Sequence, residues 1–270
     1  MRSASASERS VALRPQLAEA AGIPRPQRAA APGLSATIVA VRDLDDSQRQ
    51  AMFEIFARHY DQVSRDRFEA DLGEKDGVVI LTGPDGCLSG FSTQKTLRAR
   101  VGERDVRALF SGDTVIDRSQ WGEQELCRGW SRYAGMVLAE EPDTPLYWLL
   151  VSKGYRTYLY LPLFFREFYP RVDVPTPPAA QQALDTFAGL KFGEHYHSGT
   201  GLIAFPHSMG QLTGELAIVP PHRREHAHVR FFLERNPDYA SGTELACLAE
   251  ISLDNLTSFG RRLFESALRR

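Results

Sequence analysis

The stretch "TPLYWLLVSK", residues 144–153, limits the fold more than any other part of this chain. It is apolar for most of its length and of strand size. A strand with no polar face must be covered on both sides, which places it inside a layered α/β structure rather than on a half-solvated sheet.

The segments before it alternate in pattern. "ATIVAVRDL" (36–44) reads as a short apolar strand. In "DDSQRQAMFEIFARHYDQV", Met52, Ile55, Phe56, His59 and Val63 recur at helical spacing. "SRDRFEADLGEKD" opens with Ser64, a good N-cap, and puts Phe68 and Leu72 on one helical face. "GVVILTGPDGCLSGFSTQKTLRARV" is a hairpin folded at "GPDG". "RDVRALFSGDTVI" is the next strand, and a helix from about Trp121 to Glu140 follows, with Leu126, Trp130, Ala134 and Val137 as its buried stripe. After Gly154 an aromatic-rich helix is expected to run to about Pro170.

"VDVPTPPAA" (172–180) is the best linker, because three prolines sit in a polar setting. Beyond it, "AAQQALDTFAGLKF" and "PHRREHAHVRFFLERN" read as helices, and "TELACLAEIS" as a strand. "LDNLTSFGRRLFESALRR" is a terminal helix, and "TGLIAF" and "ELAIVP" supply further strands. Three parts follow: an extension (1–35), an α/β domain (36–171), and a C-terminal α/β portion (172–270) completing the sheet and a cleft.

Composition excludes some functions. The chain has 270 residues, is 43% apolar and carries a net charge of −2, enough for a sizeable core but with no basic footprint for nucleic acid. No segment is apolar for the length of a membrane span. Cys87, Cys127 and Cys247 are odd in number and not spaced as metal pairs, which suits a reduced, cytosolic protein. Residues 1–35 hold five arginines, two glutamates and no aromatic residue, giving +3 against −5 for the rest. That composition reads as a disordered extension, with an organelle transit peptide as the other reading.

The junction "FSGDTVIDRSQWGEQELCRGW" (110–130) carries the chemistry. An apolar strand ends at Ile116 and gives way to a polar turn and a helix, whose first unpaired N–H groups suit a phosphate. The whole order of strand, helix, helix, hairpin, strand, helix, strand, helix over 36–170 resembles the Gcn5-related N-acetyltransferase (GNAT) superfamily. "VVILTGPDGCLSGFSTQKTL" matches its central hairpin, "ALFSGDTVIDRSQWGEQEL" its donor-binding strand and turn, and "TPLYWLLVSKGY" its splayed strand. The resemblance implies a mixed, mostly antiparallel sheet flanked by helices. It also implies a thioester carbonyl polarised by a backbone N–H near Val115, and a donor held by Val115, Ile116, Arg118, Trp121, Gly122 and Gln124.

The family's turn reads Gln or Arg, two residues, Gly, one residue, then Gly or Ala. Here those positions are Ser119, Gly122 and Gln124, so the middle glycine alone agrees. Glu123 and Glu125 add negative charge where a pyrophosphate would lie, and Arg118 offsets one. A weakened anion site is more tolerable for the single phosphodiester of a carrier protein's arm. The donor is therefore expected to be acyl-CoA or acyl carrier protein, with no permanently bound cofactor.

Tyr158, Tyr160, Phe164, Phe165, Phe168 and Tyr169 supply apolar bulk that acetyl transfer would not need. They point to a medium or long fatty acyl group.

Aminolysis of a thioester needs a base and a proton for the leaving thiolate. Asp113 on the donor strand is the candidate base, and Tyr155 and Tyr158 occupy the family's region for the acid. His195 and His197 share one face of "GEHYHSGTG" if it is extended; they are base or metal candidates, and His222 and His226 are spaced for zinc on a helix. No metal is assigned. No G-x-S-x-G, P-loop, G-x-G-x-x-G or H-E-x-x-H motif occurs. The reading is an N-acyltransferase acting on an amino acid or on a Lys or ornithine side chain of a peptide. The rivals are an acyl-homoserine lactone or free N-acyl amino acid synthase, and a non-catalytic carrier-binding module.

Overall fold

A computed structural model describes residues 33–117, 120, 124–206, 211–212 and 217–268. Its elements in chain order are β1 (Ser35–Ala40), α1 (Asp46–His59), β2 (Tyr60–Asp61), α2 (Arg65–Gly73), β3 (Gly77–Thr82), β4 (Leu88–Val101), β5 (Arg104–Ile116), α3 (Glu125–Glu140) and β6 (Leu146–Ser152). There follow α4 (Tyr155–Tyr158), α5 (Tyr160–Phe164), α6 (Pro178–Phe192), β7 (Tyr196–His197), β8 (Leu202–Ile203), β9 (Gln211–Leu212), α7 (Pro221–Arg224), α8 (Ala227–Arg235), β10 (Glu244–Glu250) and α9 (Ser258–Leu268).

Local signals account for the element ends. Ser64 caps α2 by accepting from the Arg67 N–H at 3.3 Å. Asp45 and Gln48 form a reciprocal capping box at α1. "GPDG" closes the β3–β4 turn, with Gly86 at φ +79°.

Eight strands form one sheet in the order β1-β3-β4-β5-β6-β10-β8-β7, while β2 pairs with β9. Every described neighbouring pair in the sheet is antiparallel except β5–β6, which is parallel. The strand read at 144–153 is thus central, between β5 and β10, and Leu146, Trp148, Leu149 and Leu150 are all buried. β10 comes from the C-terminal part of the chain and continues the sheet directly from β6.

Two layers cover the sheet. On one face lie α3, α4, α5, α8 and α9, around Trp130, Trp148, Phe164 and Phe264. Helix α3 comes close because residue 129 is glycine: a Cβ there would lie 2.4 Å from a methyl of Val79. The other face carries two separate cores. One sits under α1 and α2, with Met52, Ile55, Phe68 and Phe91. The other sits under α6, with Phe110, Leu149, Leu184 and Phe187. The space between those two cores becomes the cleft described below.

Some expectations change. The helix expected from Trp121 begins at Glu125 among the described residues. The aromatic helix breaks into α4 and α5, since Pro162 disrupts the run and the chain turns extended at Phe165. The "PHRREHAHVRFFLERN" helix also divides, into α7 and α8. Residues 218–220 of "ELAIVP" form no strand; Pro220 and Pro221 lead into α7 instead.

The aromatic run is a larger correction. Tyr158, Phe164, Phe165 and Phe168 are buried in the core facing α3, α8 and α9. Tyr160 stacks on Phe164 at 5.9 Å between centroids. These rings pack against one another and against Trp130 and Trp148, so the run fills the core rather than lining an acyl channel.

Candidate active site

β5 and β6 part company halfway along. They pair from Arg107–Leu146 to Ser111–Leu150 and no further. Beyond Ser111, β5 continues beside β4 alone, and beyond Leu150, β6 continues beside β10 alone. The edges of β5 and β6 that face each other in this wedge lack each other's backbone groups, which must find partners elsewhere.

A β-bulge falls at the same point. Gln94 pairs with Ser111 and Ser92 with Thr114, so Gly112 and Asp113 together oppose the single residue Thr93. Residue 112 is tightly held: a Cβ on Gly112 would meet the Thr93 hydroxyl at 2.6 Å and Lys75 Cε at 2.7 Å. A chain of buried hydrogen bonds fastens the bulge. The indoles of Trp130 and Trp148 donate to Ser111 Oγ at 3.0 and 2.9 Å, and Ser111 donates to Gln94 Oε1 at 2.9 Å. Gln94 Nε2 donates to Ser92 Oγ at 2.8 Å, and Ser92 is bonded to Thr114 at 2.8 Å.

A cleft of about 410 Å³ opens over this wedge. Its floor is Phe110, Gly112, Asp113 and Thr114 of β5 with Leu150 and Val151 of β6. One wall is Phe56, Tyr60, Phe68 and Asp71; the other is Lys191, Phe192, His195 and Phe205. Lys153 and Glu244 close the β6 side.

The charges of the cleft fall into pairs. Lys191 bonds Glu74 at 2.6 Å, Lys153 bonds Glu244 at 3.1 Å, and Lys75, buried beneath the bulge, bonds Asp71. The Lys191 hydrogen bond holds Glu74 below the usual carboxylate range. Asp113 differs: among the described residues no hydrogen bond or ion pair reaches its carboxylate. Burial raises its pKa from 3.8 to about 7, with further upward pressure from Asp71 and Glu244 and a downward pull from Lys75 and Lys153. The Tyr60 hydroxyl also has no hydrogen-bond partner among the described residues. Burial, then Asp113 and Glu244, push its pKa up, so it stays protonated.

Asp113 and His195 therefore line one cleft, with the His195 ring 4.8 Å from that of Phe205. Val115 is buried with Phe91 under α1 and α2, and its backbone and that of Ile116 lie on the part of β5 that has left β6. Gln124 is the N-cap of α3 and offers no side-chain cap. Arg118, Trp121 and Gly122, with Ser119 and Glu123, lie outside the described residues, as does most of the 1–35 extension.

The two expected proton donors are placed elsewhere. Tyr158 is fully buried and its hydroxyl donates to the Pro170 carbonyl at 2.9 Å, among Phe168, His228, Phe231 and Phe232. Tyr155 is buried beneath the guanidinium of Arg156. Neither lines the cleft. Among the described residues no three His, Cys, Asp or Glu side chains gather as a metal site, and no helix is long and apolar enough to cross a membrane. Cys127 is buried and its thiol is pushed up to about 12 by burial.

Tyr60, Lys75, Lys153 and Glu244 were not picked out in the sequence. They come from four separate segments; the one local signal is the polar break Ser111–Thr114 between the apolar runs Ala108–Phe110 and Val115–Ile116 of β5.

No family model and no curated protein matches the chain. Solved structures overlap it in part. An Enterococcus faecalis protein of unknown function, described as a probable N-acyltransferase, is 12% identical at a TM-score of 0.35, over 43% of this chain and 29% of its own. Escherichia coli ElaA is 15% identical at 0.35, over 51% of this chain and 93% of its own. The E. coli GNAT family N-acetyltransferase YhbS, solved with CoA, is 18% identical at 0.31, over 45% and 66%. The chain thus spans under a third of the length of the first of these. Overlaps this slight carry nothing about activity. The strand order, the parallel β5–β6 pair and its splay are themselves on view, and they make the sheet GNAT-like.

Proposed function

We propose that this chain is an N-acyltransferase that moves an acyl group from a thioester to an amine. One observation carries the proposal. Asp113 lies on a bulge where two parallel strands separate, opens on a cleft, and among the described residues is the one carboxylate there without a bonded cation.

The reaction assigns each part a task. The thioester enters the wedge, where its carbonyl oxygen accepts from a β5 N–H beyond Ser111 and the carbon becomes more electrophilic. The amine nitrogen attacks that carbon from the cleft, the C–N bond forms and the C–S bond breaks. Asp113 takes the proton that the amine loses. A base near 7 is well matched to working pH, partly ionised and yet strong enough to accept. The departing thiolate takes a proton in turn. A thiol's ordinary pKa near 8.5 demands no strong acid, and water at the open mouth suffices.

The donor is proposed to be acyl-CoA or the acylated phosphopantetheine arm of a carrier protein, and the acceptor an amine, with free amino acids and the side-chain amines of Lys or ornithine as the two classes to be told apart. A medium or long fatty acyl group no longer has the aromatic run behind it, and the donor panel below decides chain length.

The test is thiol release from acyl-CoAs and acyl carrier proteins of two to sixteen carbons, with and without an amine mixture, for the wild type and Asp113→Asn. The expected result is amine-dependent release by the wild type. In the variant kcat should fall about 100-fold or more, while donor affinity stays within about threefold. Donor binding with no release under any amine would instead favour a non-catalytic carrier-binding module.

A further inference from the structure

The pairing of charges around the cleft bears on which amine it accepts, and the inference rests on the acyl-transfer reading above. Every described cation near the floor is already engaged. Lys75 holds Asp71, Lys191 holds Glu74 and Lys153 holds Glu244. Arg67, on the α2 wall, is likewise engaged. What remains uncommitted beside the bulge is one carboxylate, Asp113, and the Tyr60 hydroxyl, with the polar side chains of Gln62, Thr157 and His195 further round the lining. Around them stand the rings of Phe56, Phe68, Phe110, Phe192 and Phe205.

We infer that the acceptor is a compact cationic amine on an apolar or aromatic body, with no carboxylate close to the amine. Side-chain-type amines and aralkylamines are taken, and free α-amino acids are refused.

The chemistry runs as follows. An ammonium at Asp113 neutralises the unpaired charge and keeps one N–H for Tyr60 Oη. Its carbon body displaces water from five rings, and the ring faces also favour a cation. An α-carboxylate one carbon from that nitrogen would be carried to the same floor, where it meets Asp113 and Glu244 and finds each lysine already bonded. To bind with a charged partner it must break an existing lysine–carboxylate pair; otherwise it has the side chains of Gln62, Thr157 and His195 as donors while facing two like charges. A volume of about 410 Å³ is at the small end for ligand cavities, which suits an amine of this size rather than a folded partner.

The test uses calorimetry on the full chain at pH 8 with no acyl donor present. The ligands are 2-phenylethylamine, L-phenylalaninamide, L-phenylalanine and 3-phenylpropanoate, which share a ring and differ in the groups beside it. Phenylethylamine and phenylalaninamide should bind, phenylalanine at least tenfold more weakly than its amide, and phenylpropanoate not measurably. Asp113→Asn, shown folded by its own unfolding transition, should lose at least tenfold in affinity for phenylethylamine. Equal binding of phenylalanine and its amide, or no binding of any amine, overturns the inference. A thiol-release assay with the bound amine then separates the two claims. Selective amine binding without release from any donor removes the acyl-transfer reading and leaves the preference for a carboxylate-free amine as a binding property of the cleft.

Discussion

Replacing Asp113 by asparagine should stabilise the protein, and only above a defined pH. The native carboxyl has its pKa raised from 3.8 to about 7, chiefly by burial. The folded state therefore holds a proton that the unfolded state releases between about pH 4 and 7. Stability falls with rising pH wherever the native state binds more protons. Below pH 4 the group is neutral in both states and contributes nothing. Through pH 4 to 7 the wild type loses stability, and above 7 the loss is complete. A rise of this size corresponds to about 4 kcal/mol at full burial. Asp113 opens on the cleft, and water at its mouth roughly halves the figure, to about 2 kcal/mol. For a chain of this size that is roughly 4–8 °C in Tm. Asparagine has a similar shape and no charge, so it escapes the penalty. Thermal unfolding of both proteins from pH 4.5 to 8.5 reads the effect directly. The variant should melt close to the wild type at pH 4.5 and several degrees higher at pH 8.5. A difference that stays constant with pH, or a variant less stable at pH 8.5 than at 4.5 relative to wild type, would refute the idea of a buried, unpaired carboxylate at the bulge.

Two further substitutions test what holds the wedge in place. Ser111→Ala removes the shared partner of the Trp130 and Trp148 indoles and of Gln94, leaving three buried groups to find others. A loss of about 3 kcal/mol is expected by urea unfolding, with a changed tryptophan emission maximum. Arg107 is fully buried on β5 and donates to the carbonyls of Val137 at 2.7 Å, Glu141 at 2.6 Å and Thr144 at 3.2 Å, around the C-terminus of α3. Arg107→Met keeps most of the volume and removes those donors, and should cost about 3 kcal/mol by the same assay.

What the sequence made legible depends on whether a feature is local. The α3 stripe of Leu126, Trp130, Ala134 and Val137 is buried as its spacing requires, because 3.6-residue periodicity is a property of one segment. Ser64 as a cap is local in the same way. The aromatic run illustrates the limit. Spacing shows that Tyr158, Phe164 and Phe168 must be covered, but gives no way to tell a protein neighbour from a substrate. Here the neighbours are Trp130 and Trp148 together with residues of α8 and α9, which come from distant sequence. Tyr60 and Glu244 were illegible for the same reason. One opens β2 just past α1 and the other opens β10, and only the tertiary fold brings both to the cleft that Asp113 lines.

The position of the cleft has its own cause in the chain. Along β5, apolar residues alternate faces up to Phe110, and through Ser111 the strand is bonded to β6. Ser111 anchors the strand there, accepting from two indoles and donating to the Gln94 amide oxygen. Immediately after it, "GDT" offers water-seeking groups and the bulge inserts one extra residue. An extra residue on one strand bends it and increases its twist, so β5 swings away from β6 at the first residue past its anchor. The anchor and the bulge need each other. Without the anchor, the strands could slip and absorb the extra residue elsewhere, and without the bulge, pairing could continue to the end of β6 at Ser152 and narrow the wedge. The network that stabilises the sheet is therefore also what fixes Asp113 at the opening, and loosening Ser111 should move the carboxylate as well as weaken the fold.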